Sequence, residues 1–421
     1  EPMTADQVVW SEQSRLHISL KGTIIAAGDT NGTFTVITDI DGNVSGDGFT
    51  VANHGVRVHD TVLLSSNNVV VKALVTAVNG AVISVEPYDA LTCVALSTVA
   101  SATTLLVYGS EFKKGDTYGG SDARTANEPT FKSFTNKPII LKDYYEVSGS
   151  DASRIGWIEI TSEEGQSGYM WYLKAESDTR SRFTDYLEMS MLESQVAADA
   201  SVVDTALAGA ATATGTQGLF DAIEERGNIT SGISGVNAAT DLAEFDAILA
   251  EFDKQGAIEE NMMFVNRATS LAMDDMLASM NSYGAGGTSY GVFSNDEDMA
   301  LNLGFSGFRR GSYDFYKSDF RYLNDKATRG GINATAGSAA IRGVIIPAGT
   351  SSVYDQNLGK NLTRPFLHVR YRASQTDDRK MKTWVTGSVG AATSSLDAMQ
   401  LHFLSERCLI TQGANNFMIM K

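Results

Sequence analysis

The chain has 421 residues, of which 43% are hydrophobic and only 6 are proline, so it can form the cores of several domains. Its formal net charge is -17 and no cluster of Lys and Arg offsets it, which disfavours binding to nucleic-acid phosphates. Cys93 and Cys408 lie far apart in apolar stretches, so they indicate two buried thiols and no disulfide framework or zinc site.

The sequence also lacks the signals of membrane insertion and export. No apolar run reaches the ~18 residues that a spanning helix needs, and residues 1–20 are too polar for a secretory signal. We therefore expect a soluble protein that is made inside the cell and has no membrane partner.

Residues 16–110 carry short runs rich in Val, Ile and Thr, separated by Gly, Asn and Asp, which is typical of β-strands. Asn79-Gly80 lies between two of these runs and is the strongest hairpin signal in the chain, because both residues tolerate the positive φ of a type I′ turn. We predict a small inserted β-barrel or β-sandwich domain here.

A polar connector and a β-arm are predicted over residues 111–168. The first part has no periodicity and contains several glycines, as a linker does. Two strand-like runs, IILKDYYEV and RIGWIEI, then flank the turn signal Ser148-Gly149. We expect these two runs to pair as a long two-stranded arm.

A long helix is predicted from about Gly168 to Ala198. It is charged on most of its faces and has an apolar stripe formed by Leu173, Phe183, Leu187 and Met191. Glu176 with Arg180, and Asp178 with Arg182, are spaced as i, i+4 ion pairs on a solvated face. Such a helix is longer than a compact domain usually needs.

Residues 219–344 alternate between helical and strand patterns. DLAEFDAILAEFDKQ predicts a helix that stops at Gly256, NMMFVN predicts a buried strand and RATSLAMDDMLASMN predicts another helix. Residues 345–421 return to strands, and the tail NNFMIMK is expected to pair into the sheet that these strands form. The fold class predicted for the whole chain is α+β.

No catalytic or metal-binding motif stands out. The five histidines, His17, His54, His59, His368 and His402, have no metal-ligand spacing. A Walker loop, a dinucleotide glycine fingerprint and a Gly-x-Ser-x-Gly elbow are also missing from the sequence. We therefore expect no enzyme, no cofactor and no metal site. The aromatic residues near the helix start are instead candidates for packing or subunit contact, since Tyr and Trp are enriched at interfaces; they are Tyr144, Tyr145, Trp157, Trp171 and Tyr172.

The order of β-arm, long helix, mixed α/β region and terminal strands resembles the major capsid proteins of tailed bacteriophages with the Hong Kong 97-type fold. The stretches that carry the resemblance are NKPIILKDYYEVSGSDASRIGWIE, YMWYLKAESDTRSRFTDYLEMSML, TQGLFDAIEERGNIT and FLSERCLITQGANNFMIMK. They are similar to the extended loop, the spine helix, the entry to the axial domain and the last peripheral strands of those proteins. The resemblance covers about residues 131–421 and is nearest to crAss-like phages of gut bacteria.

The resemblance implies a division of the chain into named parts. These are an N-terminal arm (1–15), the inserted β-barrel domain (16–110), a linker and extended loop (111–168), the spine helix with the first part of a peripheral domain (169–218), an axial domain (219–344) and the second part of the peripheral domain (345–421).

It also implies a function and a set of partners. The chain would assemble with itself into the hexamers and pentamers of an icosahedral phage head around double-stranded DNA, without sequence-specific contact. Further partners would be portal, scaffold or auxiliary capsid proteins. The location would be the virion capsid, assembled in the cytoplasm of the bacterial host.

Two other readings of the residues remain open. In one, the chain is an adhesin-like or tail-associated virion protein whose barrel binds a carbohydrate or receptor. In the other, the chain is a hydrolase that uses an acidic pair such as Glu224-Glu225 as its catalytic carboxylates. Such pairs are common on acidic surfaces, which disfavours this reading.

Overall fold

The computed structural model of the chain describes residues 1–13, 19–27, 31–40, 44–46, 49–66, 68–89, 93, 96, 99, 102–115, 131–153, 159–161, 167–198, 201–208, 214–256, 258–281, 307–355, 360–389 and 392–421. Statements about structure below refer to these residues. They form a mixed α+β protein, as the sequence predicts.

The first part of the chain contains the following strands. In chain order they are β1 (Pro2–Met3), β2 (Val8–Gln13), β3 (Ser19–Ala27), β4 (Asn31–Asp39), β5 (Ser45–Gly46), β6 (Phe49–Thr50), β7 (Asp60–Ser66), β8 (Val69–Asn79), β9 (Val82–Pro87), β10 (Thr103–Ser110) and β11 (Phe131–Asn136).

The second part mixes helices and strands. In chain order they are β12 (Ile139–Ser148), α1 (Gly149–Ala152), β13 (Glu159–Thr161), β14 (Ser167–Tyr169), α2 (Met170–Glu193), α3 (Val202–Ala208), α4 (Leu219–Arg226), β15 (Asn228–Thr230), α5 (Ala238–Gln255), β16 (Glu260–Val265), α6 (Arg267–Asn281), β17 (Gly307–Arg310), β18 (Tyr313–Asp319), α7 (Arg321–Asn324), α8 (Arg329–Asn333), β19 (Gly343–Pro347), β20 (Thr350–Asp355), β21 (Lys360–Pro365), β22 (Leu367–Arg372), β23 (Lys382–Gly387), β24 (Ala398–Thr411) and β25 (Met418–Met420).

The chain divides into two compact units. One consists of Val9–Phe134, and the other of Glu1–Val8 together with Thr135–Lys421. The first unit contains a closed six-stranded barrel with strand order β10-β3-β4-β9-β8-β7. Its strands lie within 16–110, the range predicted for an inserted β domain. Fully buried aliphatic and aromatic side chains fill the barrel, among them Leu20, Ile24, Phe34, Leu64, Ile83 and Leu105.

The β8–β9 hairpin of the barrel turns close to where the sequence predicts it. Asn79 pairs with Val82, and Gly80 between them has a φ of 56°. A positive φ is readily accessible to glycine because it has no Cβ. The hairpin is confirmed, but its turn residues are Gly80 and Ala81, one position later than predicted, because Asn79 is the last residue of β8 and has no positive φ.

A sheet built around β24 organises part of the second unit. β12 runs antiparallel to β24 along its whole length, from the pair Ile139–Arg407 to the pair Ser148–Ala398. On its other edge, β24 pairs with β23 and with β22, and β1 adds in parallel to β22. The predicted arm is therefore wrong in its pairing. IILKDYYEV pairs with β24, and Ser148 caps the short helix α1 instead of entering a hairpin turn.

The helix α2 lies on one face of this sheet. Its 24 residues correspond to a length of about 36 Å. Phe183 and Leu187 pack against Phe403 of β24, with Leu141 and Leu401 at the edge of the cluster. The long helix is confirmed, and it begins and ends inside the predicted limits, because the residues before Met170 form the strand β14, which pairs with β13.

A second, six-stranded sheet has the order β15-β25-β19-β16-β18-β17. The helices α5 and α6 pack on one of its faces through Phe245, Phe252 and Met273, which contact Met263 and Phe315. The opposite face carries a separate cluster that includes residues of α4 and the buried Val344 and Ile419. The tail strand β25 pairs with β15 and β19, so the predicted pairing of the tail with a neighbouring terminal strand is confirmed for β19, but β25 lies in a different sheet from β22, β23 and β24.

The helix α5 shows how local sequence signals set its ends. The side chain of Asn237 accepts a hydrogen bond from the Thr240 N–H at the start, and Gly256 ends the helix in a left-handed conformation with φ 64°. The strand β16 and the helix α6 follow as predicted. Within the described residues, no helix is long and apolar enough to cross a membrane. Cys93 and Cys408 are both buried and unpaired thiols, as the sequence predicts.

Candidate functional site

Tyr144 and Tyr145, two of the predicted contact residues, lie on opposite faces of the β12–β24 sheet. Tyr145 is paired with Leu401, whose side chain belongs to the cluster under α2. Tyr144 is paired with His402 and lies on the opposite face, because neighbouring residues of a strand point to opposite sides. Tyr145 is half-buried, and burial raises the pKa of its hydroxyl. We refer below to the face of this sheet away from α2 as the open face.

Three rings form a row across the open face. The ring of His402 on β24 lies between Tyr144 of β12 and Trp384 of β23, with centroids 6.1 Å and 5.1 Å apart and near-parallel planes. Nε2 of His402 is 2.7 Å from the Thr386 hydroxyl, a hydrogen bond that fixes the orientation of the imidazole. Tyr144 is 57% exposed, so one end of the row is accessible to a partner.

His402 and Trp384 were not among the sequence candidates. The alternation of MQLHFL and KTWVTG is compatible with strands that place both rings on one face. Their meeting depends on the pairing of Trp384 with His402, which connects strands from different parts of the chain. Sequence periodicity alone does not supply that register.

The predicted charge pairs of α2 differ in their outcome. Arg180 lies 3.8 Å from Glu176, at the expected i, i+4 spacing. Arg182 instead donates through Nη2 to Asp143 Oδ2 of β12 at 2.9 Å, and no ion pair of Asp178 is found in the described part of the chain. The hydrogen bond to Asp143 raises the pKa of Arg182. Arg182 therefore joins the helix to the sheet, whereas Asp178 stays exposed.

The other aromatic candidates are less informative. Trp157 lies outside the described residues. Trp171 and Tyr172 belong to the first turn of α2, and the structure describes their backbone but not the surroundings of their side chains. Their role in packing or subunit contact stays a prediction.

A second group of charges holds β1 on the edge of the same sheet. The carboxylate of Glu1 lies 3.0 Å from Arg364 and 3.1 Å from Arg370. The backbone oxygen of Glu1 accepts from the Tyr371 N–H at 3.0 Å. Close by, His368 is half-buried, and this burial lowers the pKa of its imidazole. These contacts fix the first residues on β22.

The described residues contain no group of three or more His, Cys, Asp or Glu side chains that could hold a metal ion. A cleft of about 350 Å³ lies beside the start of α6, and its walls include Arg342, Asp275 and the exposed Leu271. Arg342 donates to the backbone oxygen of Ser231. The cleft thus contains one basic and one acidic side chain without the arrangement of a nucleophile and a base.

No protein-family model matches the chain, and no curated protein matches its sequence. Among solved structures, a chain from Mycobacterium phage Che8 is similar, with a TM-score of 0.36 and 10% identity, covering 70% of this chain and 76% of that chain. A chain of the asymmetric unit of the bacteriophage PhiM1 mature capsid is similar with a TM-score of 0.37 and 11% identity, covering 74% and 79%. The capsid structure of the cyanophage P-SCSP1u gives a TM-score of 0.36 and 7% identity, covering 73% and 80%.

Proposed function

We propose that this chain is the major capsid protein of a tailed bacteriophage with a Hong Kong 97-type fold. The observation that carries the proposal is the packing of α2 on the sheet formed by β12 and β24. This packing brings together three of the stretches on which the sequence resemblance rests. It joins the strand before the long helix, the helix itself and the late strand β24 through one buried cluster.

The rest of the second unit supports the same assignment. The predicted peripheral domain consists of 169–218 and 345–421, and Met191 of α2 shares a buried cluster with Leu409 of β24 and Phe417. The predicted axial domain, 219–344, supplies α5, α6 and four of the six strands in the second sheet. Segments far apart in sequence thus meet in each of these two parts, which supports the division that we propose.

In this function the chain has a structural role and carries out no reaction. Copies associate through large surfaces into the hexamers and pentamers of an icosahedral shell around double-stranded DNA. The net charge of -17 suits a shell that must not adhere to the packaged DNA. Portal, scaffold or auxiliary capsid proteins are the further partners, a crAss-like phage is the source, and the shell assembles in the bacterial cytoplasm.

The experiment is expression of the full chain, alone and with a scaffold protein, followed by sucrose-gradient sedimentation and negative-stain imaging. We expect capsomers or closed shells in at least one of these conditions. A protein that stays monomeric across a range of concentration, salt and temperature would contradict the proposal. Solubility measured in parallel separates failed assembly from failed folding.

The barrel supports one alternative, a virion protein that binds a carbohydrate or receptor. Tyr88 and Tyr108 are 50% and 52% exposed on its outer surface, and the Tyr88 hydroxyl donates to Glu111. Exposed aromatic rings beside a carboxylate are suited to contacts with sugar rings and hydroxyls. A glycan array probed with the full chain and with the Tyr88→Ala/Tyr108→Ala variant tests this alternative. Binding that the double variant loses would favour it over a purely structural shell protein.

A further inference from the structure

The strand β12 is an unusually open edge of the sheet it belongs to. It pairs with β24 on one side, and among the described residues no strand pairs with its other side. It has ten residues, contains no proline and keeps an unbroken register with β24. Natural proteins usually protect such edges with bulges, prolines, charged side chains or a short length. β12 has three charged side chains, Lys142, Asp143 and Glu146, but it is ten residues long and has no proline and no bulge against β24.

The backbone groups at this edge belong to the even-numbered residues. The Tyr144 N–H donates to Asp143 Oδ1 at 2.9 Å, so it does not point towards β24. Because successive N–H groups of a strand point to opposite sides, the N–H groups of Lys142 and Glu146 also point away from β24. Their side chains are exposed on the open face, beside Tyr144. An added strand would therefore bond to the backbone of these residues and contact their side chains.

The charges of β12 make it complementary to itself. If a second β12 lies antiparallel to the first, with a two-fold axis at Tyr144, then Lys142 of each copy lies opposite Glu146 of the other. Opposite charges at directly paired positions stabilise a sheet, and like charges destabilise it. Gln400 Nε2 donates to Glu146 Oε2 at 2.6 Å, which holds that carboxylate on the open face. In the described part of the chain, no ion pair of Lys142 competes with this arrangement.

The neighbouring registers are less favourable. An axis at Lys142 or at Glu146 places that residue opposite its own copy, so like charges meet. An axis at Asp143 does the same for the two Asp143 carboxylates. An axis at Tyr145 avoids repulsion, but it leaves Lys142 opposite Ser148 and forms no ion pair. The register centred on Tyr144 is thus the one that the charges select.

We propose that β12 is a contact surface for a second copy of this chain, and that the two β12 strands pair antiparallel about a two-fold axis at Tyr144. The Tyr144 N–H then exchanges its bond to Asp143 for the Tyr144 backbone oxygen of the other copy. The sheet becomes continuous through both copies, in the order β24-β12-β12-β24. Such an isologous contact uses the same patch on both copies. It does not depend on the proposed function, since any oligomer with a two-fold axis could contain it.

A disulfide trap tests the register in the full-length protein. Directly paired residues of the hydrogen-bonded type have Cα atoms about 5.5 Å apart, within the range of about 4.4–6.8 Å that a disulfide tolerates. Tyr144→Cys should therefore give a covalent dimer under mild oxidation. Lys142→Cys is the matched control, because the two copies of that residue would lie ~14 Å apart along the strands. Both native cysteines are buried and should not react.

The result expected on a non-reducing gel is a dimer for Tyr144→Cys, no dimer for Lys142→Cys, and a mixed dimer when Lys142→Cys and Glu146→Cys are combined. Equal cross-linking of Tyr144→Cys and Lys142→Cys, or no cross-linking of Tyr144→Cys in a soluble and folded protein, would overturn the proposal. Neither result bears on whether shells form, which sedimentation measures independently.

A charge exchange provides a second test without new cysteines. Lys142→Glu places two carboxylates opposite each other in a homodimer, and Glu146→Lys places two lysines opposite each other. Each variant alone should associate at least tenfold more weakly than the wild type, whereas an equal mixture of the two should associate again. Glu146→Gln, which keeps a side chain able to bond to Gln400, should weaken association less than Glu146→Lys. A mixture that associates no better than its components would contradict the pairing.

Discussion

The side-chain amide of Asn136 donates a hydrogen bond to the backbone oxygen of Leu409, with Nδ2 and O 2.6 Å apart. The same amide group also donates to the backbone oxygen of Gln217 at 3.1 Å. The Oδ1 of Asn136 accepts from the backbone N–H of Gln217 at 2.9 Å and from the Thr216 hydroxyl at 3.1 Å. Asn136 is 2% exposed. One buried side chain therefore connects the end of β11, the segment before α4 and the strand β24.

Replacing this amide should lower stability strongly. Asn136→Asp keeps the shape and the acceptor but places a carboxylate against the backbone oxygens of Leu409 and Gln217. Since a buried polar group without its partner costs about 1–3 kcal/mol, we expect a loss of about 3 kcal/mol at neutral pH. Urea denaturation followed by tryptophan fluorescence measures it. Gln195→Ala, an exposed amide, is the control; equal midpoints for the two variants would show that the Asn136 network contributes little.

The cluster under α2 allows a prediction about the helix itself. Phe403 is fully buried, and its ring lies 5.8 Å from that of Phe183. Phe403→Ala should lower the free energy of unfolding by about 3–5 kcal/mol, because a large buried side chain leaves a cavity. Amides of α2 should then exchange hydrogen faster. Tyr186→Ala, at a position of the same helix that is 45% exposed, should leave both quantities almost unchanged.

The elements that the sequence predicts correctly are those set by neighbours in the chain. The Asn237 cap and the Gly256 stop define α5 locally, and Gly80 sets the turn of the β8–β9 hairpin in the same way. The apolar stripe containing Phe183 and Leu187 gives the buried side of α2. In each case the signal and the structure lie within a few residues of each other.

The parts that the sequence does not predict depend on distant partners. Asp143 and Asp178 are both carboxylates, and only the packing of α2 on β12 shows that Arg182 binds Asp143. The placement of Tyr144 beside His402 likewise follows from the register of β12 with β24. No local pattern encodes that register, because the two strands are separated by most of the second unit.

A buried ion pair in the second unit offers a sharp double-mutant test. Lys317 of β18 donates to Asp274 of α6 and, at 3.2 Å, to the Ser270 backbone oxygen, and the two charged side chains are only 5% and 11% exposed. Lys317→Met leaves the Asp274 charge buried without this lysine and should cost about 3–5 kcal/mol. The double variant Lys317→Met/Asp274→Leu should recover most of that loss. Urea denaturation of the wild type, the two single variants and the double variant gives the coupling free energy between Lys317 and Asp274. Additive losses would contradict this coupling.

The hydroxyl of Tyr313 should make stability fall at high pH. It donates to Asp253 Oδ1 at 2.7 Å, and burial, together with this bond, raises the pKa of Tyr313 to about 12 from its ordinary value of 10.0. A raised pKa in the folded state means that the contribution of the neutral hydroxyl is complete below pH 10, the unfolded value. It is then lost progressively as the pH rises towards 12, because the unfolded chain releases its proton first.

Tyr313→Phe removes this contribution and nothing else from the ring. At neutral pH the variant should be less stable by about 1 kcal/mol, the usual net value of a hydrogen bond. The difference between wild type and variant should shrink across the same alkaline interval, in urea denaturation repeated at several pH values. Tyr316→Phe, on the same strand but 50% exposed, is the control. A difference between wild type and Tyr313→Phe that stays constant with pH would show that the Tyr313 hydroxyl titrates alike in the folded and unfolded chain.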